Sequence, residues 1–197
     1  MAGILSALID ALSYLLQIAT TLYVTIIMLR FFMQYFRTDF YNPVAQFVVK
    51  ATTPVLKPVR KVVPGWRGMD IASILVAYLI MLAFLALDYY LNNIFTAKKL
   101  PFAGLLLSTL LHLIKTVLNL FFFAILLQAI LSWVQTAAYS PVTPILRSIT
   151  EPFLRPIRKR LPATGGIDFS SMIAMVLLMA CSIFIERIHL YTFGFWK

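Results

Sequence analysis

Acidic and reactive side chains are scarce in this chain. Asp and Glu number 7 against 17 Lys and Arg, with two histidines, one cysteine and seven glycines among 197 residues. Each shortage removes a class of function. A lone Cys181 in an apolar run cannot make an internal disulfide or a thiolate metal cluster, and it reads as a small buried hydrophobe. No Gly-rich phosphate loop, His-Glu zinc pattern, nucleophile elbow or Cys-x-x-Cys pair occurs, so the chain is read as not an enzyme and no metal site is expected. The N-terminus lacks a basic n-region, and no Ala-x-Ala site follows the first apolar stretch. That stretch is therefore read as a retained span.

What is abundant is apolar sequence. The chain is 61% hydrophobic and 12% charged, with a mean hydropathy of +0.90, outside the range of soluble domains. Four apolar runs, at about 11–36, 71–91, 105–134 and 169–188, each suffice to cross ~30 Å of hydrocarbon, which takes about 20 helical residues. The expected fold is an all-α membrane protein with four transmembrane helices. The net charge of +10 does not point to nucleic acid, because 11 of the 17 basic residues lie in two loops, 37–69 and 135–167. Basic loops beside spans follow the positive-inside rule and attract anionic phospholipid. Both loops are therefore placed in the cytoplasm and both termini outside.

The two loops are copies of one another. Residues 41–73 and 139–171 align without a gap, 98 residues apart, with 13 of 33 positions identical. The chain divides into a first repeat (1–95, containing loop 37–69), a linker (96–104) and a second repeat (105–197, containing loop 135–167). With two spans each, the repeats share one orientation, as in parallel-repeat proteins.

Within each loop, Asn42–Pro43 and Ser140–Pro141 read as helix starts, followed by apolar residues at helical spacing. A second short segment is expected from Thr53–Pro54 and Glu151–Pro152, interrupted by Pro58 and Pro156. Lys57, Arg60 and Lys61 fall on one face and Val59, Val62 and Val63 on the other. The second copy sets Arg155, Arg158 and Lys159 against Ile157 and Leu161. These are read as proline-kinked, basic amphipathic helices in the inner interface. Asp70 and Asp168 precede a span and read as helix caps, with pairing to Arg60 and Arg158 as a compatible second role.

A further polar set lies toward the outer face. Ser108, His112, Lys115 and Asn119 share a stripe of the third span, the repeat-related Asp10, Tyr14, Gln17 and Thr21 share one on the first, and Asp88 and Glu186 are also repeat-related. Ionisable residues within spans are functional candidates. Counted from Val134, however, Lys115 lies about 29 Å away. That distance puts it at the opposite interface, where an Asp10–Lys115 contact is the plain reading. His112 and His189 are considered as a haem pair, although they are not repeat-related.

The doubled pattern Pro-x-Leu-x-Pro-x-Arg-Lys, followed by Pro and then Gly-x-Asp, resembles the YggT family of small multi-pass membrane proteins. The stretches DFYNP (39–43), QFVVK (46–50) and GGIDFS (165–170) look like its bacterial branch. Carried over by motif, the signature residues are Pro54, Leu56, Pro58, Arg60, Lys61, Pro64 and Asp70, then Pro152, Leu154, Pro156, Arg158, Lys159, Pro162 and Asp168. The resemblance implies a multi-pass protein of the bacterial inner membrane. It links the chain to cofactor and cytochrome assembly, to division, or to osmotic and cation tolerance, and it transfers no catalytic residue. The leading expectation is a non-catalytic scaffold or assembly factor whose basic loops bind anionic lipid and position a protein partner. Alternatives are cation transport through Asp10, Asp88, His112, Lys115, Asn119 and Glu186, or haem handling through His112 and His189. Homo-oligomerisation is compatible with four thin spans.

Overall fold

The computed structural model describes residues 2–65, 68–92, 102–133, 140–160 and 169–195, and their regular structure is helical. The order is α1 (Ala2–Tyr35), α2 (Pro43–Arg60), α3 (Ile71–Asn92), α4 (Phe102–Trp133), α5 (Val142–Arg158) and α6 (Phe169–Phe195). Within α1, α3, α4 and α6 the segments Gly3–Tyr35, Ile71–Asn92, Phe102–Ser132 and Phe169–His189 are long and apolar enough to cross a membrane. The protein is a multi-pass membrane protein. α1 begins well before the expected residue 11, since no proline interrupts the run ahead of it and Ser6, whose hydroxyl donates to the Gly3 carbonyl, lies within the helix.

α1 ends in a Schellman turn. The Thr38 N–H donates to the Met33 carbonyl at 2.9 Å and the Arg37 N–H to the Gln34 carbonyl at 3.2 Å, with Arg37 in the left-handed region at φ 55°. That conformation costs a non-glycine residue about 1 kcal/mol, and it redirects the chain into α2. The Thr38 hydroxyl then meets the Ser148 hydroxyl of α5 at 2.6 Å, and the Asn42 amide donates to the Pro141 carbonyl. These contacts bring the N-terminal end of α2 against the start of α5 at one end of the bundle. Asn42 also accepts from the Val44 N–H at 2.9 Å and caps α2. Ser140 stands in the same place before α5, accepting from Val142 at 3.4 Å.

α2 and α5 each run as one helix through both internal prolines, which corrects the expected division into interrupted segments. Pro54, Pro58, Pro152 and Pro156 are all exposed and spaced four apart, so each pair occupies one outward stripe. The carbonyls they leave without a donor, such as Lys50 and Pro54 in α2, belong to exposed residues and not to the packed face. Ala51, one turn before Pro54, accepts from the Tyr23 hydroxyl at 3.3 Å. A second correction concerns Val62. It follows the end of α2 and is 81% exposed, so it does not extend the apolar face.

The inward faces of α2 and α5 form part of the core. Leu56 packs with Val24, Ile27, Val76 and Met81. Ile145 and Ile149 pack with Met33, Val48 and Ala124, and Leu154 packs with Ile125 and Ala174. Leu56, Ile149 and Leu154 are fully buried. The two amphipathic helices therefore clamp the spans together as well as resting on them.

Candidate functional site

Beneath α2 lies a buried polar network centred on Arg30, a residue that patterning along the first span did not single out. Arg30 is 6% exposed. Its Nη1 donates to the Thr52 hydroxyl at 2.6 Å and to the Thr53 hydroxyl and Val49 carbonyl, each at 3.1 Å. The threonines in turn donate to Val48 and Val49 of their own helix. Next to this, Arg60 at the end of α2 pairs with Asp70, directly before α3, and the Ser73 hydroxyl donates to the same carboxylate. Asp70 is 4% exposed. Burial alone would raise its carboxyl pKa. The hydrogen bonds from Arg60 and Ser73, with the charges of Arg60 and Arg30, outweigh burial and hold it below the usual carboxylate range. One carboxylate thus serves two guanidinium groups.

The second repeat builds the same attachment from different residues. Gln128 stands 98 residues after Arg30 and accepts from the hydroxyl of Thr150, which stands 98 after Thr52. Arg158 donates to the Ser170 hydroxyl at 3.2 Å and to Glu151 at 3.0 Å, and Glu151 occupies the repeat position of Thr53. Pro162 and Asp168 lie outside the described residues. The chemistry differs in charge: an arginine–threonine bond in one copy, a neutral amide–threonine bond in the other. Thr52→Val should therefore cost about 2 kcal/mol and Thr150→Val about 1 kcal/mol, since bonds to charged groups are worth roughly twice those between neutral ones. Thermal denaturation in detergent measures both, and equal losses would contradict the distinction.

The basic signature residues divide by this geometry. Arg60 and Arg158 are half-buried: Arg60 pairs with Asp70 ahead of α3, while Arg158 pairs with Glu151 within α5 and reaches α6 through the Ser170 hydroxyl. Lys57, Lys61, Arg155 and Lys159 are exposed, as are Lys50, Arg147, Arg160 and Pro64, while Leu56 and Leu154 are buried. The outward surface of α2 and α5 alternates proline rings with unburied cations.

A second polar cluster lies toward the opposite end of the bundle. Lys115 Nζ is 3.1 Å from Glu186 Oε2, so the carboxylate beside Lys115 is Glu186 of α6 and not the expected Asp10, which is exposed. The rings of His112 and His189 meet edge to face at 4.5 Å. His112 Nδ1 is 3.1 Å from the Ser108 carbonyl, which can only accept, so Nδ1 carries the proton and a neutral ring leaves Nε2 as an acceptor. Asp88 accepts from Asn92 at 3.0 Å. Gln17, His112, Lys115, Glu186 and His189 line a cavity of about 190 Å³ between α1, α4 and α6.

The amphipathic α5 meets α4 at Gln128 and Ile125. Lys115 is about 20 Å along α4 from Gln128. A bis-histidine haem does not fit here. Its two axial rings must lie on opposite faces of a planar macrocycle, whereas these two touch each other.

The sequence matches the CCB3/YggT family over residues 9–91 and again over 107–189. The chain belongs to the CCB3/YggT family. The two matched segments are offset by 98 residues, as are the two loops. Among relatives, YggT of Escherichia coli (strain K12) is 41% identical over 170 residues, covering 86% of each chain. PA0392 of Pseudomonas aeruginosa is 38% identical over 165 residues, covering 84% of this chain and 83% of its own. The Galdieria sulphuraria protein ycf19 is 29% identical over 86 residues, covering 43% of this chain and 88% of its own. No solved structure matches.

Proposed function

We propose that this CCB3/YggT protein is a non-catalytic scaffold of the bacterial inner membrane, in which α2 and α5 form a rigid basic platform on the cytoplasmic face. The platform rests on anionic phospholipid and presents its proline-and-lysine surface to a protein partner in an assembly process. The observation that carries this reading is the division of labour among the cations. Arg60 ties α2 to Asp70 and Arg158 ties α5 to Ser170 of α6, while Lys57, Lys61, Arg155 and Lys159 are left exposed beside four outward prolines. Near an anionic surface each exposed cation is worth about 1 kcal/mol.

The test is co-purification in mild detergent. Lys57, Lys61, Arg155 and Lys159 changed together to Gln should leave insertion and thermal stability unchanged and remove a near-stoichiometric partner seen with the wild type. The same partner at the same yield in the variant would overturn the platform. Arg60 and Arg158 are unsuitable for this purpose, because they also bond to Asp70 and Ser170 and their loss would disturb the seating of the helices.

A cation pathway through Asp88, Glu186 and the Lys115 stripe is a weaker reading. The Lys115 ammonium already occupies the position beside Glu186 where a cation would bind. Reconstituted vesicles should show no cation flux above protein-free controls, and flux abolished by Glu186→Gln would restore this alternative.

A further inference from the structure

The polar cavity at His112 and Lys115 does not end within the bundle. Glu186 lines both it and a neighbouring cavity of about 300 Å³ between α4 and α6. Asn119 and Phe123 line that cavity and a third, of about 320 Å³, between α1 and α4. The three adjoin along one stripe of α4, with α1 as one wall and α6 as the other, and Leu146 and Ile149 of α5 close the far end. Leu113 and Val117 of α4 pack toward α3 on the other side of the helix. α6 packs on α4 and α5, which leaves the space between α6 and α1 open.

The composition of this groove changes along its length. The 190 Å³ end gathers an amide, two imidazoles, an ammonium and a carboxylate from three helices. Beyond Asn119 the walls are mainly aromatic and aliphatic, with Phe122, Phe123, Leu127 and Leu178. A small polar chamber opening into a long apolar cleft between helices is the form of a site for a lipophilic ligand. Asn119 makes no hydrogen bond among the described residues, although it lines two of the cavities. This half-buried amide has donor and acceptor capacity to offer a polar occupant.

Depth selects the class of ligand. A phospholipid head group carries charge and belongs at the interface, whereas this chamber lies about 20 Å beyond the level where α5 docks. A helix cannot enter 190 Å³, but one substituted six-membered ring can. We propose that the α1–α4–α6 groove binds an isoprenoid quinone, its ring in the chamber and its tail along the apolar cleft. A quinone is uncharged, so burial of its head carries no ionic desolvation cost. Its oxygens accept, and the Lys115 ammonium has donors to spare beyond the bond to Glu186. Asn119 lies just outside the chamber, lining the two adjoining cavities one helical turn, about 6 Å along the axis, from Lys115, so a ring lodged at the chamber's mouth can present one oxygen to each. In the quinol form, the free acceptor of His112 takes the hydroxyl proton as a hydrogen bond. This inference is independent of the basic platform, which uses other residues at the other end of the bundle.

The experiment is photolabelling of the full-length protein in phosphatidylcholine nanodiscs with an azido-ubiquinone-2, followed by peptide mapping. Label is expected on α4 and α6 around the chamber, displaced saturably by ubiquinone-2 and not by a chain of equal length without the ring. Lys115→Met and Asn119→Leu should each weaken displacement by about tenfold or more, the loss expected for a hydrogen bond to the ring. Leu177→Phe, at an exposed α6 position outside the cavities, should change nothing. Circular dichroism confirms that each variant is folded, and Phe123→Trp, which fills the cleft without removing a polar group, should block labelling independently. Label spread over the lipid-facing surface, displacement by the ringless chain or by phospholipid, or affinity unchanged in all three groove variants would overturn the site.

Discussion

Asp70→Asn should destabilise the protein by about 3 kcal/mol, roughly two orders of magnitude in the folded-to-unfolded ratio. The carboxylate is 4% exposed and is the partner of Arg60, with Arg30 close enough to feel its charge. Removing one member of such a group leaves uncompensated charge out of water, which costs about 3–5 kcal/mol. The lower end applies because the Arg60 side chain is 36% exposed and water can reach it. Loss should concentrate where α2 meets α3. Amide hydrogen exchange should accelerate around residues 56–65 and 68–76, with α4 and α6 little changed. Because the folded-state carboxyl pKa is depressed, its stabilisation is complete above the ordinary value of about 4 and is lost as pH falls through the lower value it has in the fold. Wild type and Asp70→Asn should therefore converge in stability at strongly acidic pH. A gap that persists there would mean that Asp70 acts through shape and not charge.

Pro54→Ala and Pro58→Ala should have the opposite sign. Each proline sits inside a continuous helix and withholds a donor from the carbonyl four residues earlier. Alanine restores that bond and the better propensity, a difference of up to about 3 kcal/mol per position in a helix interior. The double variant should thus resist denaturant better than wild type. It should also lose the partner, because the rings that alternate with Lys57 and Lys61 on the outward stripe are gone. Increased stability together with lost partner binding would show that the prolines serve the surface. Decreased stability would show that they are required for the path of the helix, and retained binding would remove them from the platform.

These two outcomes also indicate how far the sequence could be read. The four spans and the amphipathic helices follow from apolar run length and helical spacing, whereas Leu56 and Leu154, read only as members of the repeated motif, prove to be fully buried. The continuity of α2 does not follow, because proline weakens a helix locally and what holds this one continuous is the packing of its inward face, which is a tertiary property. Arg30 is a single charge inside a long apolar run. Its repeat counterpart Gln128 is not identical to it, so comparing the copies position by position passes over both. The identity of Thr52 and Thr150, their shared partners, was the visible trace. The pairing of Lys115 with Glu186 rather than Asp10 depends on α6 packing against α4, which no periodicity within either helix reports.

The most direct test of the central claim, that α2 and α5 form one rigid surface anchored from within, is a distance distribution between spin labels at Lys57 and Arg155. It is measured by pulsed electron resonance in nanodiscs containing anionic lipid, in a Cys181→Ser background. A single narrow distance that broadens in Asp70→Asn is the predicted result. A broad distribution in the otherwise wild-type protein would mean that the two helices move independently, and the platform would be contradicted.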